Sequence, residues 1–302
     1  MNKRVAIFGC AGQLGVELTR VFNERGYQVT GFSRGGVEIT DQTSVQQCLE
    51  SLDPAIVVNA AAYNQVDLAE KEPANAFQSN AVAVRNMAIA CRQIDALLVH
   101  FSTDYVFDGT AGRPYVETDS THPLGAYAVS KLAGELYAQA YLEAPLIIRT
   151  SGVFGPGGLH TARGNFVELM LRLAGSGQPI RVVEDHVASP TYAPALAEAT
   201  AQLVEHKQHG VFHAGGGTPI SWFDYAKLIF EAAGVKPELR PTDAREYRTA
   251  ARRPKFSALS NAKMEACGVT PMPAFAAAVA SYMQARRRYN VVTGFSPSGL
   301  EA

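Results

Sequence analysis

The sequence lacks a long apolar run, a surplus of one charge and a cysteine framework. No stretch approaches the roughly 18 consecutive apolar residues of a membrane span. The apolar run near the N-terminus is too short for a signal peptide and ends at a glycine. The formal charge is −1, so the composition does not favour a nucleic-acid partner or a charged tail. We therefore expect a protein with no nucleic-acid partner and no membrane partner.

Cysteine is scarce, and its spacing bears on the redox environment. The four cysteines stand far apart and form no C-x-x-C pair. Without a secretion signal, this spacing is typical of reduced thiols, and we expect a cytoplasmic protein. The seven histidines have no cysteine or carboxylate at ligand spacing, so we expect no metal site.

Short β-branched segments alternate with helix-like patterns through the first half of the chain. The strand candidates are residues 4–9, 27–32, 55–60, 97–103 and 145–151, and the helix candidates are residues 13–25, 41–51, 73–94 and 127–143. Because the strand candidates are almost continuously apolar, helices should cover both faces of their sheet. The repeated βα units predict an α/β fold with a doubly wound, parallel, Rossmann-like sheet.

The second half is less regular and predicts a smaller α/β lobe interleaved with the last sheet strands. It offers helix candidates at 165–176, at 191–206 and from Ser221, strand candidates at 180–184 and 210–215, and a polar stretch at 236–257. We expect a Rossmann domain at 1–151, the smaller lobe at 152–290 and a flexible tail at 291–302.

A glycine-rich loop, "GCAGQLG", directly follows the first strand candidate and opens the first helix candidate. Glycines at this spacing permit a tight turn, a close approach of a pyrophosphate and close packing of the helix on the strand. A purely structural glycine turn is the alternative, but the position in the first βα unit favours dinucleotide binding. The predicted cofactor contacts here are Gly9, Gly12, Gln13, Leu14 and Gly15.

The second strand candidate ends at Ser33 and Arg34, where sites specific for NAD usually carry an acidic residue. A guanidinium matches a 2′-phosphate and has no acceptor for a ribose hydroxyl. We therefore predict NADPH as the preferred cofactor, with NADH as a second candidate; an exposed loop arginine is the alternative. Further cofactor contacts are predicted from Glu38 and Ile39 near the adenine and from Ala60, Ala61 and Ala62 near a ribose.

Polar side chains should meet at the carboxyl ends of the strands. Ser102, Thr103 and Asp104 end the fourth strand candidate. Tyr127 and Lys131 lie one helical turn apart at the start of the next helix candidate. Reduction of a ketone requires a proton and a hydrogen-bond donor at its oxygen, and a nearby ammonium lowers the pKa of a phenol. Tyr127 is thus the candidate acid, with a surface Tyr–Lys pair as the alternative.

These residues resemble the extended short-chain dehydrogenase/reductase family. The resemblance covers residues 4–263 and runs through "GCAGQLG", "VVNAAAYNQVDLAEKEP", "STDYVFDG", "PLGAYAVSKLAGE", "RTSGVFG", "GNFVELML", "SPT" and "RRPKFSALS". It implies a catalytic triad of Thr103, Tyr127 and Lys131, assisted by Asp104, with Tyr127 and Lys131 also touching the cofactor. It implies substrate contacts from Asn64, Val66, Thr103, Asp104, Asn165 and Arg253, the last one on a diphosphate.

Within that family, the motifs are similar to those of reductases that act on nucleotide-linked 4-keto-6-deoxy sugars. This similarity implies NADPH-dependent conversion of dTDP-4-dehydro-L-rhamnose to dTDP-L-rhamnose, a step toward cell-surface polysaccharide, with residues 152–290 binding the nucleotide sugar. A homodimer is the candidate assembly, which the sequence does not decide. The alternatives are a sugar-nucleotide epimerase or dehydratase of the same family, and a non-catalytic regulatory subunit of the methionine adenosyltransferase type.

The sequence departs from the family pattern at several positions. Gly152 stands where a tryptophan that packs beside the sugar is usual, and we expect its absence to open the pocket. Glu38 replaces an aspartate, His186 replaces a glutamine, and the loop at 156–166 looks longer than usual. We expect His186 and Trp222 to be packing residues.

Overall fold

The computed structural model describes residues 3–161 and 164–293. Its strands are β1 Arg4–Phe8, β2 Gln28–Phe32, β3 Ile56–Asn59, β4 Leu97–Thr103, β5 Leu146–Thr150, β6 Ile180–Val183, β7 Val187–Ala188, β8 Gly210–His213, β9 Ile220–Ser221 and β10 Leu239–Thr242. Six of them form a parallel sheet in the order β2–β1–β3–β4–β5–β8. The five strands predicted for the first half are all present, each within one residue of its predicted ends.

Helices connect these strands. They are α1 Gln13–Glu24, α2 Gln42–Leu52, α3 Val66–Ala69, α4 Pro73–Phe77, α5 Ala83–Ile94, α6 Ala126–Tyr141, α7 Phe166–Gly175, α8 Ala193–Glu205, α9 Trp222–Ala233, α10 Ala262–Ala266 and α11 Phe275–Thr293. The single helix predicted over 73–94 is instead α4 and α5 joined by one π-helical turn, Gln78–Val82. None of the helices in the described part of the chain has the length and apolarity to cross a membrane.

The order of the sheet strands places a ligand crevice at the carboxyl ends of β1 and β3. From β1 the chain passes to β2 on one side and then returns to β3 on the other. Ligands of open α/β sheets bind at such a reversal. The loops that follow β1 and β3 therefore border the crevice. The predicted doubly wound, Rossmann-like fold is confirmed.

Alternating side chains of the strands build a core on each face of the sheet. Val5 and Ile7 of β1 pack in the cluster that includes α1 and α8. Ala6 and Phe8 of the same strand pack in the cluster that includes α2 and α5. Because both faces are covered, the strands are continuously apolar, as the sequence predicts.

A third apolar cluster holds the second half of the chain together. It unites α7, α9 and α11 with β6, and Phe154 and Tyr225 lie at its centre. The polar stretch 236–257 contributes β10, which pairs in parallel with β6. The strand β8 joins the central sheet from this half, in agreement with the interleaving that the sequence predicts. The division at residue 151 stays a prediction.

The end of the described chain is helical. The helix α11 continues to Thr293, so residues 291–293 of the predicted tail belong to a helix. The rest of that predicted tail, residues 294–302, lies outside the described residues.

Candidate active site

The glycine-rich loop packs so closely that only glycine fits at two of its positions. Gly9 has a φ of +81°, and a Cβ there would lie 2.7 Å from the backbone nitrogen of Ala61. A Cβ on Gly15 would lie 2.0 Å from the carbonyl oxygen of Gly9. Gly12 caps α1 and, having no side chain, offers no acceptor to the first-turn N–H groups of the helix. Such a helix N-terminus fits the diphosphate of a dinucleotide.

The other predicted cofactor residues line the same edge of the sheet. Ser33 and Arg34 are exposed directly after β2. The Glu38 carboxylate accepts hydrogen bonds from the Thr40 hydroxyl (2.6 Å) and the Thr40 backbone N–H (3.0 Å), which lowers the pKa of Glu38. The remaining predicted contacts are Leu14, packed against the core beside β1; Ile39, whose carbonyl accepts from the Asn86 amide; and Ala60, Ala61 and Ala62, in the loop after β3.

The helix α6 presents the predicted phenol and amine. Lys131 is buried, and its Nζ donates a hydrogen bond to the carbonyl oxygen of Phe101 at 2.6 Å. Burial lowers the pKa of Lys131 to about 8, although the nearby Glu135 carboxylate opposes this shift. Tyr127 is half-buried, and its ring meets that of Tyr105 edge to face at a centroid distance of 6.2 Å. A small surface pocket lies beside these two rings, lined also by Val66, Glu70, Ala251 and Pro254.

Asp104 is fully buried and accepts hydrogen bonds from three hydroxyl groups. Its carboxylate accepts hydrogen bonds from Ser257 (2.6 Å), Ser151 (2.8 Å) and Thr103 (3.1 Å). Thr103 also accepts from the Tyr105 backbone N–H at 3.2 Å. Burial raises the pKa of Asp104 to about 6, despite the hydrogen bonds that lower it. The structure therefore brings Thr103 and Asp104 together, as the sequence predicts, and joins the ends of β4 and β5 to residue 257.

We expect the ionisation of Asp104 to make stability depend on pH. A carboxyl group whose pKa is about 6 in the folded chain and about 4 in the unfolded chain stabilises the fold below pH 4, and this contribution is lost as the pH rises through 6. Relative to Asp104→Asn, the wild-type free energy of unfolding should fall by about 2 kcal/mol between pH 4 and pH 7. Urea unfolding of both proteins at several pH values measures this difference. A constant difference across this range would contradict the assignment.

Ser102 does not join this cluster. Its hydroxyl instead donates to Glu135, which forms a buried ion pair with Arg149. The Arg149 Nη2 lies 2.7 Å from Glu135 Oε2, and its Nε lies 3.0 Å from Oε1. Ser102, which precedes Thr103 in β4, therefore bonds this buried ion pair rather than the Asp104 carboxylate.

The four residues implied as further substrate contacts occupy different surroundings. Val66 lines the small pocket beside Tyr127, and Asn64 is exposed in the loop before it. Arg253 pairs with both carboxylate oxygens of Asp67, at 2.6 and 3.1 Å, which lowers the pKa of Asp67. Asn165 caps α7 and donates to the side-chain oxygen of Gln13 at 2.8 Å, so it connects α7 to the glycine-rich loop.

One residue that positions the site escapes the sequence analysis. Asn80 lies buried in the π-helical turn, where its amide donates to the Tyr63 carbonyl (2.9 Å) and the Ser130 hydroxyl (3.0 Å). Its side-chain oxygen accepts from the Tyr63 N–H at 2.8 Å. Asn80 thereby fixes α6 against the loop after β3. The sequence feature that could have indicated this contact is Gly134 in the middle of α6. A Cβ there would lie 2.2 Å from the Asn80 carbonyl oxygen, so only glycine allows the two segments to approach.

The structure places an aromatic ring beside Gly152, which the sequence analysis does not predict. A Cβ on Gly152 would lie 3.3 Å from Cη2 of Trp222 and 3.4 Å from Pro190. The space next to residue 152 is therefore bounded by an indole ring from α9. His186 is buried with its Nδ1 3.2 Å from the Asp185 carboxylate, a position that suits the packing role expected of it.

Comparison with known proteins shows the family to which the chain belongs. Residues 3–288 match the family model described as the RmlD substrate binding domain. The dTDP-4-dehydrorhamnose reductase of Mycobacterium tuberculosis is 37% identical, and the alignment covers 94% of this chain and 93% of the relative. The chain belongs to the dTDP-4-dehydrorhamnose reductase (RmlD) family.

Two further family relatives are similar over almost their whole length. The spore coat polysaccharide biosynthesis protein SpsK of Bacillus subtilis is 38% identical, covering 94% of this chain and 98% of SpsK. The crystal structure of dTDP-4-dehydrorhamnose reductase from Bacillus anthracis, in complex with NADP, superposes with a TM-score of 0.89 at 34% identity. That comparison covers 94% of this chain and 99% of the crystallised one.

Proposed function

We propose that this chain catalyses the NADPH-dependent reduction of the 4-keto group of a dTDP-linked 6-deoxy sugar, with dTDP-4-dehydro-L-rhamnose as substrate. The observation that carries the proposal is that α6 presents Tyr127 one turn before the buried Lys131, whose Nζ is bonded to Phe101 of β4, the strand that ends at Thr103. Membership of a family of dTDP-4-dehydrorhamnose reductases supports it. An NADP complex of one relative supports the cofactor.

In this proposal the side chains of the protein donate the proton and stabilise the charge that its loss leaves behind. Bound NADPH supplies the reducing equivalent to the carbonyl carbon. Tyr127 donates its phenolic proton to the carbonyl oxygen as negative charge develops there. The Lys131 ammonium, oriented by the Phe101 carbonyl, stabilises the resulting phenolate. Thr103, fixed by Asp104, orients the ketone oxygen.

The cofactor contacts follow the edge of the sheet. The loop from Gly9 to Gly15 and the first turn of α1 hold the diphosphate. Ser33 and Arg34 hold the 2′-phosphate. The contacts proposed for the adenosine half are Glu38, Ile39, Ala60, Ala61 and Ala62.

Arg34→Ala should weaken the preference for NADPH over NADH by about tenfold to a hundredfold, because a charge-assisted hydrogen bond to the 2′-phosphate is lost. The measurement is the ratio of kcat/KM values for the two cofactors. Arg240→Ala, which removes an exposed arginine from β10, is the matched control and should keep the wild-type ratio. An unchanged ratio in the Arg34 variant would refute this 2′-phosphate contact.

The substrate contacts come from both halves of the chain. Asn64 and Val66 both follow β3, and Val66 lines the pocket beside Tyr127. Asn165 lies at the start of α7. The Asp67 carboxylate accepts hydrogen bonds from Nη1 and Nη2 of Arg253 and so fixes the plane of the guanidinium. This orientation leaves the remaining N–H groups to bind a diphosphate.

The test of the function is NADPH oxidation by the purified protein with dTDP-4-dehydro-L-rhamnose. The proposal expects stoichiometric loss of NADPH and formation of dTDP-L-rhamnose. An epimerase would convert a sugar nucleotide without net NADPH loss, and a regulatory subunit would bind the cofactor without turnover. Either result would overturn the proposal. The cytoplasmic location and the homodimer stay predictions from sequence.

A further inference from the structure

Trp222, the single tryptophan of the chain, is placed at the edge of the site by residues far from it in sequence. It begins α9 directly after β9, and β9 pairs antiparallel with β7. The Trp222 backbone N–H donates to the His186 carbonyl at 3.2 Å. The position of the indole is therefore set by β7.

The strand β7 is in turn tied to Asp104. The Ser257 backbone N–H donates to the Val187 carbonyl at 2.8 Å, and the Ser257 hydroxyl donates to the Asp104 carboxylate at 2.6 Å. On the other side, Ser151 bonds the same carboxylate, and Gly152 follows it in the chain. The Asp104 carboxylate thus holds Ser257 and Ser151, and through them the segments that carry Trp222 and Gly152 are brought together.

The ring itself is oriented toward residue 152. Its Cη2 is 3.3 Å from the point that a Cβ of Gly152 would occupy. Phe166 meets the indole edge to face at a centroid distance of 4.7 Å, which restricts its rotation. Gly152 is exposed and Trp222 is partly exposed, so this end of the indole borders solvent at the carboxyl edge of the sheet.

The geometry points to Trp222 as the aromatic wall that contacts the sugar and determines which sugar is accepted. This inference rests on the proposed function. Because Gly152 lies one residue from Ser151, which bonds Asp104, the wall borders the ketone end of the substrate rather than the base. The apolar face of a pyranose packs on an aromatic ring, and the indole N–H adds one donor for a hydroxyl. Gly152, with a φ of +44° and no side chain, leaves the approach to that ring free.

The emission of Trp222 gives a direct test, because no other tryptophan contributes to it. The protein is saturated with NADP⁺ and titrated with dTDP-L-rhamnose, and separately with dTDP, which lacks the sugar. We expect dTDP-L-rhamnose to change the intensity and to protect the ring from acrylamide quenching, and dTDP to do neither. Equal responses to both ligands, or no response to a saturating sugar nucleotide, would overturn the inference.

Kinetics give an independent test. Trp222→Ala should raise KM for the sugar nucleotide by about tenfold. Its kcat and its Kd for NADPH should change little, and Trp222→Phe should recover most of the loss. Tyr247→Ala, which removes an exposed aromatic residue, is the control. A core role alone would lower stability and leave KM unchanged.

The two proposals fail in different ways. A wild-type protein that oxidises no NADPH with dTDP-4-dehydro-L-rhamnose would contradict the proposed function. A wild-type protein that turns over, with an unchanged KM in both Trp222 variants, would contradict only the role of the indole. If Trp222→Ala does not fold, the wild-type fluorescence titration still decides the question.

Discussion

Tyr127→Phe should lower kcat by about a thousandfold, because the variant lacks the only proton that the proposed mechanism delivers directly to the ketone oxygen. The ring and its edge-to-face contact with Tyr105 would be retained, so the pocket should keep its shape. The measurement is NADPH oxidation at saturating dTDP-4-dehydro-L-rhamnose. The Kd for NADPH, measured separately by binding, should stay close to the wild-type value.

The matched control removes another phenol from the same helix. Tyr137 lies ten residues further along α6, where its ring packs near Tyr141 and away from the pocket. Tyr137→Phe should therefore retain wild-type turnover. Comparable activity in the Tyr127 and Tyr137 variants would remove Tyr127 from the role of acid.

Glu135→Gln should reduce the free energy of unfolding by about 3–5 kcal/mol, because it leaves a charged Arg149 buried without its counter-ion. Both side chains of this pair are almost fully buried. The Ser102 hydroxyl, which also bonds Glu135, would lose a charged acceptor. Denaturant unfolding at neutral pH measures the loss.

An exposed ion pair supplies the comparison. Glu24 pairs with Arg20 at 2.6 Å on the surface of α1, where solvent screens the interaction. Glu24→Gln should therefore cost less than about 1 kcal/mol. If the Glu135 variant were no less stable than the Glu24 variant, the buried pair would not contribute to the stability of the fold as described.

The sequence predicts the parts of the site that depend on local pattern. The loop from Gly9 to Gly15 is recognisable because its turn and the start of α1 are formed by consecutive residues. The same holds for Tyr127 and Lys131, since helical geometry alone brings them to one face of α6. The parallel sheet follows from short apolar runs that alternate with helical periods.

Contacts between distant segments explain what the sequence does not predict. The three donors to Asp104 come from residues 103, 151 and 257, and no local pattern connects the last of them to β4. The indole at Gly152 comes from a helix 70 residues further along the chain. The Ser102 hydroxyl likewise bonds Glu135 of α6, a contact that its nearness in sequence to Asp104 does not predict.

The π-helical turn at Gln78–Val82 makes this part of the chain sensitive to its length. Such a turn holds one more residue than an α-helical turn, and each residue of an α-helix rotates the chain by about 100°. Deleting a residue there would allow a regular helix to form across the junction. The Asn80 amide would then rotate away from Tyr63 and Ser130, and its contacts with both would be broken. The irregular turn thus sets the rotational phase between α4 and α5, and one residue more or fewer would disengage the loop after β3 from the helix that carries Tyr127.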